Sequence, residues 1–273
     1  MCEHPRAMAV GIITGSGTHA LPGFEGAPPR PVATAWGPAL VSEGTFGGTD
    51  VLHVSRHGEG HVRLSNHVTH HANIAALHEL GVAGIIATTV CGAVDPSVPL
   101  GSLVCFDDLH FVVNRLPDGE LCTFFAEPGD RRRGHWIFEG PFSQSLRVAL
   151  LAGAAEAGVG VRDGGCYGHV DGPRFNTRAE IRGLAACGVT AVSQTAGPET
   201  VLSAELELPY ALLGYATDYA NGVQPELTPV ERLLELMAAS AETFAEVLSA
   251  TLRGLDEAAL DPPGVVYRFE GGD

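Results

Sequence analysis

Short apolar runs alternate along this chain with segments in which apolar residues recur at helical spacing. The runs have the length and the Val, Ile and Leu content of strands that are buried on both faces. They cover residues 9–13, 51–55, 82–89, 100–108, 165–170, 189–194 and 210–217. The helical segments cover residues 68–80, 143–157, 177–186, 199–207 and 228–252. This alternation predicts a three-layer α/β/α fold with a mostly parallel central sheet.

Other stretches have a less regular pattern. Residues 22–49 are rich in Gly and Pro, and we expect irregular structure there with one or two short strands. The polar tail at 256–273 is expected to pack loosely, as are residues 1–8. No charge run or low-complexity tract divides the chain, so we expect residues 1–273 to form a single domain.

The last predicted helix has a recognisable beginning. Thr228 has the position of an N-cap, Pro229 that of the first helical residue and Glu231 that of the third. These residue types are typical of helix starts, and we expect the helix to run from this point to about Leu252.

The charge balance restricts the partners. The chain has 16 basic and 32 acidic residues, and its formal net charge of −16 at pH 7 opposes binding to nucleic acid or to an anionic membrane. Every basic residue is Arg, so Schiff-base chemistry and a P-loop Lys are excluded. The 6 Cys are scattered without a C-x-x-C pair, which indicates reduced thiols. With no apolar stretch of membrane-spanning length and no secretory segment, a cytoplasmic location is expected.

Polar turns follow several of the predicted strands. Loops at strand ends are where open α/β sheets bind ligands, and Gly-containing loops next to an Arg suit an anion. The turns are at residues 14–18, 56–58, 88–92, 168–180, 193–199 and 215–219. On residues alone, the first could be a plain tight turn, Arg56 a surface residue and Asp218 a turn or capping Asp.

The longest of these turns carries a family resemblance. Residues 171–180, Asp-Gly-Pro-Arg-Phe-Asn-Thr-Arg-Ala-Glu, resemble the Glu-Gly-Pro-Arg-Phe-Ser-x-Arg-Ala-Glu motif of the 5′-methylthioadenosine phosphorylases, a branch of the trimeric purine nucleoside phosphorylases. A Thr-x-x-Pro-Glu motif at 195–199 and Thr-Asp-Tyr at 217–219 follow in the family's order. The resemblance runs from about Val10 to about Gly254.

The resemblance implies a fold and a reaction. The central sheet would be mixed and partly closed into a barrel, and the protein would be a homotrimer in which the segment at 135–142 approaches the neighbouring active site. The reaction would be phosphorolysis of a purine nucleoside to free purine and sugar 1-phosphate. Inorganic phosphate would be the co-substrate, and no cofactor or metal is expected.

The resemblance also assigns candidate site residues. The phosphate-binding candidates are Ser16, Arg56, His57, Thr89 and Asn176. The nucleoside-binding candidates are Val90, Cys91, Gly92, Phe175, Ser193, Gln194, Thr195, Asp218, Ala220, Asn221, Val230 and Leu233. Asp218 is the catalytic candidate: it ends an apolar strand, and if burial raises its pKa it can be neutral and donate a proton to purine N7.

Four departures from the family pattern leave the substrate open. Ala220 stands in place of the family's second Asp, Gln194 in place of a Met, Asn176 in place of a Ser and Asp171 in place of a Glu. Asp218 favours a 6-aminopurine such as 5′-methylthioadenosine, whereas Asn221 could read a 6-oxopurine.

Other functions remain as alternatives. They are a hydrolytic nucleosidase, a nucleoside-binding protein without turnover and, on the numerous histidines, a metal-dependent hydrolase. His57 and His61 stand four residues apart, but the glycines between them disfavour a helical metal pair.

Overall fold

The computed structural model describes residues 9–16, 18 and 21–269. Its strands are β1 (Val10–Thr14), β2 (Glu25–Gly26), β3 (Arg30–Thr34), β4 (Gly37–Phe46), β5 (Thr49–Ser55), β6 (Ile85–Ala93), β7 (Leu103–Cys105), β8 (Asp108–His110), β9 (Gly134–Ile137), β10 (Val161–Asp163), β11 (Cys166–His169), β12 (Val189–Ser193), β13 (Tyr210–Tyr219) and β14 (Val265–Arg268). Its helices are α1 (His70–Glu79), α2 (Gln144–Ala157), α3 (Arg178–Ala186), α4 (Ala196–Glu205) and α5 (Val230–Arg253).

A large mixed sheet organises the described part of the chain. Its centre runs in the order β13, β6, β1, β5, with each neighbouring pair parallel, and β7 and β4 join antiparallel on either side. The sheet forks at β6: its first residues pair with β1, whereas Gly92 and Ala93 pair antiparallel with β12. The predicted α/β class with a mixed central sheet is therefore confirmed.

Helices cover both faces of this sheet. Ile12 and Ile13 are adjacent in β1, and side chains of successive strand residues point to opposite faces. Ile13 packs in a core cluster with Leu77 of α1, while Ile12 packs in another with Phe244 of α5 and Leu146 of α2. Because β1 is buried along its whole length, its run of apolar residues shows no alternation.

The segment at 22–49 is more regular than expected. It holds the hairpin of β3 and β4, and β4 alone spans Gly37–Phe46. Gly47 and Gly48 then form the turn into β5 with φ values of 60° and 85°, a backbone that Gly adopts without strain. The expectation of mostly irregular structure was wrong because the Gly and Pro content concealed the strand pattern.

The C-terminal segment is also ordered as far as Phe269. β14 pairs antiparallel with β9, and Val266 is buried. The indole N–H of Trp136 donates to the carbonyl of Pro263 at 2.7 Å. The expectation that residues 256–273 pack loosely is thus wrong for 256–269, while residues 1–8 and 270–273 lie outside the described part.

The last helix begins one residue later than predicted. It starts at Val230 with Pro229 as its N-cap. The hydroxyl of Thr228 accepts instead from the backbone N–H of Tyr219 at 3.2 Å, so it ties the end of β13 to the start of α5. None of the helices in the described ranges is long and apolar enough to cross a membrane.

Candidate active site

A cavity of about 250 Å³ opens at the carboxyl ends of the central strands. Gly15 and Ser16 follow β1, Arg56 follows β5, and Asp218 lies near the end of β13. Parallel strands place their carboxyl ends on one edge of the sheet, which explains why turns that are far apart in sequence meet here.

All the predicted site residues except Val230 line this cavity. They are Ser16, Arg56, His57, Thr89, Val90, Cys91, Gly92, Phe175, Asn176, Ser193, Gln194, Thr195, Asp218, Ala220, Asn221 and Leu233. Val230 lies outside it: it is the first residue of α5 and is 67% exposed, whereas Leu233 and Met237, further along the same helix, line the cavity. The individual binding roles stay predictions.

Several residues that line the cavity were not among the site residues predicted from the sequence. They are Gly15, His61, Leu64, Ser65, Val170, Pro173, Ile181, Val192, Thr217 and Met237. Gly15, Pro173 and Thr217 stand inside the polar turns that the sequence singled out, so those turns were the signal that could have found them. Ile181 and Met237 come from helices and carry no such signal.

Arg56 is bound to Glu199 inside the protein. Its Nε and Nη2 donate to the two carboxylate oxygens of Glu199, each at 2.8 Å, and neither side chain is exposed to solvent. Burial opposes the charged guanidinium, but Glu199 outweighs it and holds the pKa of Arg56 above its usual value. Glu199 accepts a further bond from the hydroxyl of Tyr210 at 2.9 Å. The carboxylate was not among the candidates, although it ends the Thr-x-x-Pro-Glu motif.

Two N–H groups of Arg56 remain for a ligand. The Nη1 group donates to the carbonyl of Thr88 at 2.7 Å. Arg carries five N–H groups, so the three bonds to Glu199 and Thr88 leave one on Nη1 and one on Nη2. The guanidinium is therefore fixed in place before an anion arrives, which lowers the entropy cost of binding one.

Hydroxyl groups stand beside this guanidinium. Thr89 and Ser193 lie on neighbouring parts of the sheet with their hydroxyl oxygens 3.1 Å apart. The Thr89 hydroxyl is also 3.0 Å from the carbonyl of Val90, to which it donates. Together with Ser16 these groups line the cavity and can turn their O–H bonds towards an anion.

A β-bulge directs Asp218 into the cavity. Ala216 pairs with Cys91 and Asp218 with Gly92, so Thr217 is an extra residue in β13. The hydroxyl of Thr217 donates to Oδ1 of Asp218 at 2.9 Å. Oδ2 faces Gly92, where an added Cβ would come within 3.1 Å of it. Burial raises the pKa of Asp218 in spite of the Thr217 bond, as a proton donor near neutrality requires.

Gln194 is engaged with the protein at both ends of its amide. Its Oε1 accepts from the hydroxyl of Ser65 at 2.8 Å and its Nε2 donates to the carbonyl of Arg174 at 3.0 Å. These bonds join two walls of the cavity. For the predicted contact with a nucleoside, Gln194 has the second Nε2 hydrogen and the second Oε1 lone pair left.

Asn221 also connects two loops. Its Nδ2 donates to the carbonyl of Asn176 at 2.6 Å, which links the turn after β13 to the turn before α3. A second Nδ2 hydrogen and the carbonyl oxygen remain for a base. The side chain of Asn221 can still hydrogen-bond a purine base, and its bond to Asn176 sets the orientation of the amide.

The geometry supports neither a reactive thiol at Cys91 nor a metal site at the histidines. Cys91 is buried, and burial raises the pKa of its thiol far above the usual value, so it has little thiolate character. The rings of His57 and His61 stack with centroids 4.3 Å apart. Within the described ranges, no three His, Cys, Asp or Glu side chains converge as a metal site requires.

Comparison with known proteins gives consistent matches. A model of the phosphorylase superfamily matches residues 9–253. A 6-oxopurine nucleoside phosphorylase of Pyrococcus furiosus is 33% identical over 248 residues, which are 89% of this chain and 91% of that protein. An S-methyl-5′-thioadenosine phosphorylase of Mycolicibacterium smegmatis is 37% identical over 221 residues, 80% of this chain and 79% of that protein.

The fold comparison agrees with these matches. A methylthioadenosine phosphorylase from Schistosoma mansoni, solved in complex with adenine, superposes with a TM-score of 0.80 at 27% identity. The superposition covers 90% of this chain and 91% of the other. The family resemblance read from the motifs is therefore confirmed.

Proposed function

We propose that this chain, which belongs to the phosphorylase superfamily, cleaves the N-glycosidic bond of a purine nucleoside by phosphorolysis. The observation that carries the proposal is that Arg56 and Asp218 line one cavity from opposite ends of a row of strands. Arg56 follows β5 and Asp218 ends β13, with β1 and β6 between them. Three strand spacings separate their backbones by about 14 Å, which suits a nucleoside and an anion placed between the two side chains.

The reaction needs no covalent intermediate. Orthophosphate, held by the two remaining N–H groups of Arg56 and by the hydroxyls of Ser16 and Thr89, attacks C1′ of the sugar. A bond forms between a phosphate oxygen and C1′ while the bond from C1′ to N9 breaks. The electron pair moves into the purine, and Asp218 transfers its proton to N7. No cofactor takes part.

We propose a 6-aminopurine nucleoside as the substrate. The neutral carboxyl of Asp218 can donate from Oδ2 to N7. Among the described residues Oδ1 accepts only from Thr217, so it has a second lone pair for a 6-amino group. Leu233 and Met237 give the cavity an apolar wall from α5, which fits an apolar 5′ group such as methylthio. These observations together favour 5′-methylthioadenosine.

A 6-oxopurine nucleoside is the second candidate. Ala220 leaves the cavity without a second carboxylate acceptor at that position, and Asn221 retains an amide hydrogen that could donate to O6. The 6-oxopurine nucleoside phosphorylase of Pyrococcus furiosus is among the similar proteins, as is a probable S-methyl-5′-thioinosine phosphorylase of Xylella fastidiosa. Inosine, guanosine and 5′-methylthioinosine therefore belong in the test.

A panel of nucleosides tests the proposal. Free purine would be measured with adenosine, 5′-methylthioadenosine, inosine, guanosine and 5′-methylthioinosine, with and without phosphate in the buffer. Phosphate-dependent release of purine together with sugar 1-phosphate is expected. Release without phosphate would identify a hydrolase, and ligand-induced stabilisation without release would identify a binding protein; either result refutes phosphorolysis.

We also propose that the single domain formed by residues 1–273 assembles as a homotrimer. Exposed apolar side chains lie near the cavity mouth on the α3 side and on α5: Phe175 is 63% exposed and Leu234 is 57% exposed. Apolar surface of this kind is commonly covered by another subunit. Light scattering on the purified protein measures the mass directly, and a monomer at working concentrations contradicts the trimer. The cytoplasmic location stays a prediction.

A further inference from the structure

The end of the cavity at Arg56, where the proposed function places phosphate, carries no net positive charge. Arg56 is the one Arg that lines the cavity within the described ranges, the chain contains no Lys, and the charge of Arg56 is balanced by its buried partner Glu199. An anion bound here meets directed hydrogen-bond donors, but no surplus cation. A dianion bound here is stabilised by hydrogen bonds rather than by excess positive charge, so the donor or acceptor type of each neighbouring group decides which anion fits.

The hydrogen bond of His57 fixes its tautomer. Nδ1 lies 2.8 Å from the carbonyl oxygen of Arg63, and a carbonyl can only accept, so Nδ1 carries a hydrogen. No hydrogen bond to Nε2 is found among the described residues, and the ring lines the cavity. In the neutral ring Nε2 is an acceptor, and it has no proton to offer an anion.

The surroundings keep this ring neutral. Burial, followed by the positive charge of Arg56, lowers the pKa of His57 to about 4. The Arg63 carbonyl acts in the opposite direction, but is outweighed. The titratable and charged groups that face His57 are Arg56, His61, His70 and Glu199.

We propose that Nε2 of His57 accepts a hydrogen bond from the bound anion, so that the subsite selects an oxyanion that carries a proton over one that does not. Phosphate can supply this proton, whereas sulfate is fully deprotonated at neutral pH and would present bare oxygen to a lone pair. This inference rests on the proposed function, since it concerns the co-substrate of that reaction. It makes His57 a specificity-determining residue.

The proton balance follows from the geometry. Above the second pKa of phosphate, the form free in solution is HPO4 with two negative charges, which already carries one O–H. This O–H donates to Nε2, so binding needs no proton from solvent and the charge of the anion is unchanged. Sulfate has the same charge but no hydrogen, and one of its oxygens would face the Nε2 lone pair.

Calorimetry on the wild-type protein tests this without any substitution. Phosphate and sulfate would be titrated above the second pKa of phosphate, in two buffers that differ in ionisation enthalpy. Phosphate should bind without net uptake of protons and about 10- to 100-fold more tightly than sulfate, the ratio that one hydrogen bond to a charged group supplies. Sulfate binding should strengthen as the pH falls, since the proton must then reside on His57.

A His57→Gln variant provides the second measurement. The amide can turn an N–H towards the anion, so the preference for phosphate over sulfate should fall to about threefold or less, and the pH dependence of sulfate binding should disappear. His78→Gln is the matched control: His78 is exposed on α1, outside the cavity, and the variant should keep the wild-type selectivity and pH dependence.

The outcomes separate this inference from the proposed function. Phosphorolysis with equal affinity of the wild type for the two anions, or unchanged selectivity in His57→Gln, overturns the role of His57 and leaves the reaction standing. If the protein shows neither phosphorolysis nor saturable phosphate binding, both this inference and the proposed function are refuted.

Discussion

Arg56 and Glu199 form a two-bond ion pair with N–O distances of 2.8 Å, and both side chains are completely buried. The two residues come from different parts of the sequence, the end of β5 and the first turn of α4. A buried pair of this kind is retained only where geometry compensates the desolvation of both charges. Here its effect is to hold the guanidinium at the cavity wall.

Glu199→Gln should destabilise the protein by about 3–5 kcal/mol, because it leaves the Arg56 charge buried without a partner. Urea unfolding measures the change. The matched control is Glu235→Gln, which removes the exposed pair between Arg232 and Glu235 on α5 and should cost no more than about 0.5 kcal/mol. Equal effects of the two substitutions would show that the buried pair contributes no more to the free energy of unfolding than the exposed pair.

Asp218→Asn should lower turnover by about 10²- to 10⁴-fold, the usual loss when a general acid is removed. The amide keeps the shape of the carboxyl but cannot transfer a proton to N7. Phosphate affinity should stay close to that of the wild type, since Arg56 and Thr89 are unchanged. Steady-state kinetics and phosphate titration measure both quantities, and a near-normal turnover would remove Asp218 from the mechanism.

The pH dependence of activity should also report on Asp218. Its pKa is raised by burial, and the active form is the protonated one. Turnover should therefore be highest on the acid side and decline as the pH rises through the raised pKa. The small residual turnover of Asp218→Asn should lack this decline, and an unchanged pH profile in the variant would assign the decline to another group.

The same substitution should increase stability at neutral pH. A carboxyl with a raised pKa in the folded state ionises more readily when the chain unfolds, so stability is lost as the pH rises above the pKa of the unfolded chain. Asn removes this loss. Urea unfolding should find the variant more stable than the wild type at neutral pH, with the gain disappearing in acid below the unfolded pKa. A gain that persists in acid would point to a cause other than ionisation.

Gly15→Ala should weaken phosphate binding by about tenfold or more, through displacement of Arg56. A Cβ at this position would lie 2.5 Å from Nη1 of Arg56, which must then shift. The KM for phosphate is the measurement. Gly183→Ala is the control: this Gly lies within α3 with open space around it, and Ala there should stabilise by about 0.5–1 kcal/mol with unchanged kinetics. A wild-type KM in Gly15→Ala would contradict the close approach.

Ala220→Asp should shift base preference towards 6-aminopurines. A second carboxylate at this position could accept from the 6-amino group and would repel the oxygen of a 6-oxopurine. The ratio of kcat/KM for adenosine over inosine should rise by about 10- to 100-fold, the value of one hydrogen bond to a charged group. An unchanged ratio would mean that residue 220 does not face the base edge.

The sequence predicted much of the site because its polar turns follow apolar strands. Ser16, Arg56 and Asp218 each stand at such a strand end, and parallel strands bring those ends together. Within the described ranges the central strands lie where the apolar runs predicted them. The segment at 22–49 was missed because its Gly and Pro residues conceal the alternation of a two-stranded hairpin.

The sequence does not show which side chains hydrogen-bond to one another inside the site. Glu199 lies 143 positions from Arg56 along the chain, and no local pattern shows that they pair. The bonds of Gln194 to Ser65 and Arg174 also depend on how distant loops pack. The prediction for Val230 was wrong because this residue begins α5 at an exposed position, and only residues further along the helix reach the cavity.

The extra residue at Thr217 gives β13 a hydroxyl beside the carboxylate of Asp218 without changing the residues of β6 that the strand faces. Ala216 pairs with Cys91 and Asp218 with Gly92 on either side of it, so a chain without this position would keep the same two pairs. It would lose the O–H that donates to Oδ1 of Asp218. The bulge therefore adds an orienting group for the carboxylate and leaves the register of the central sheet intact.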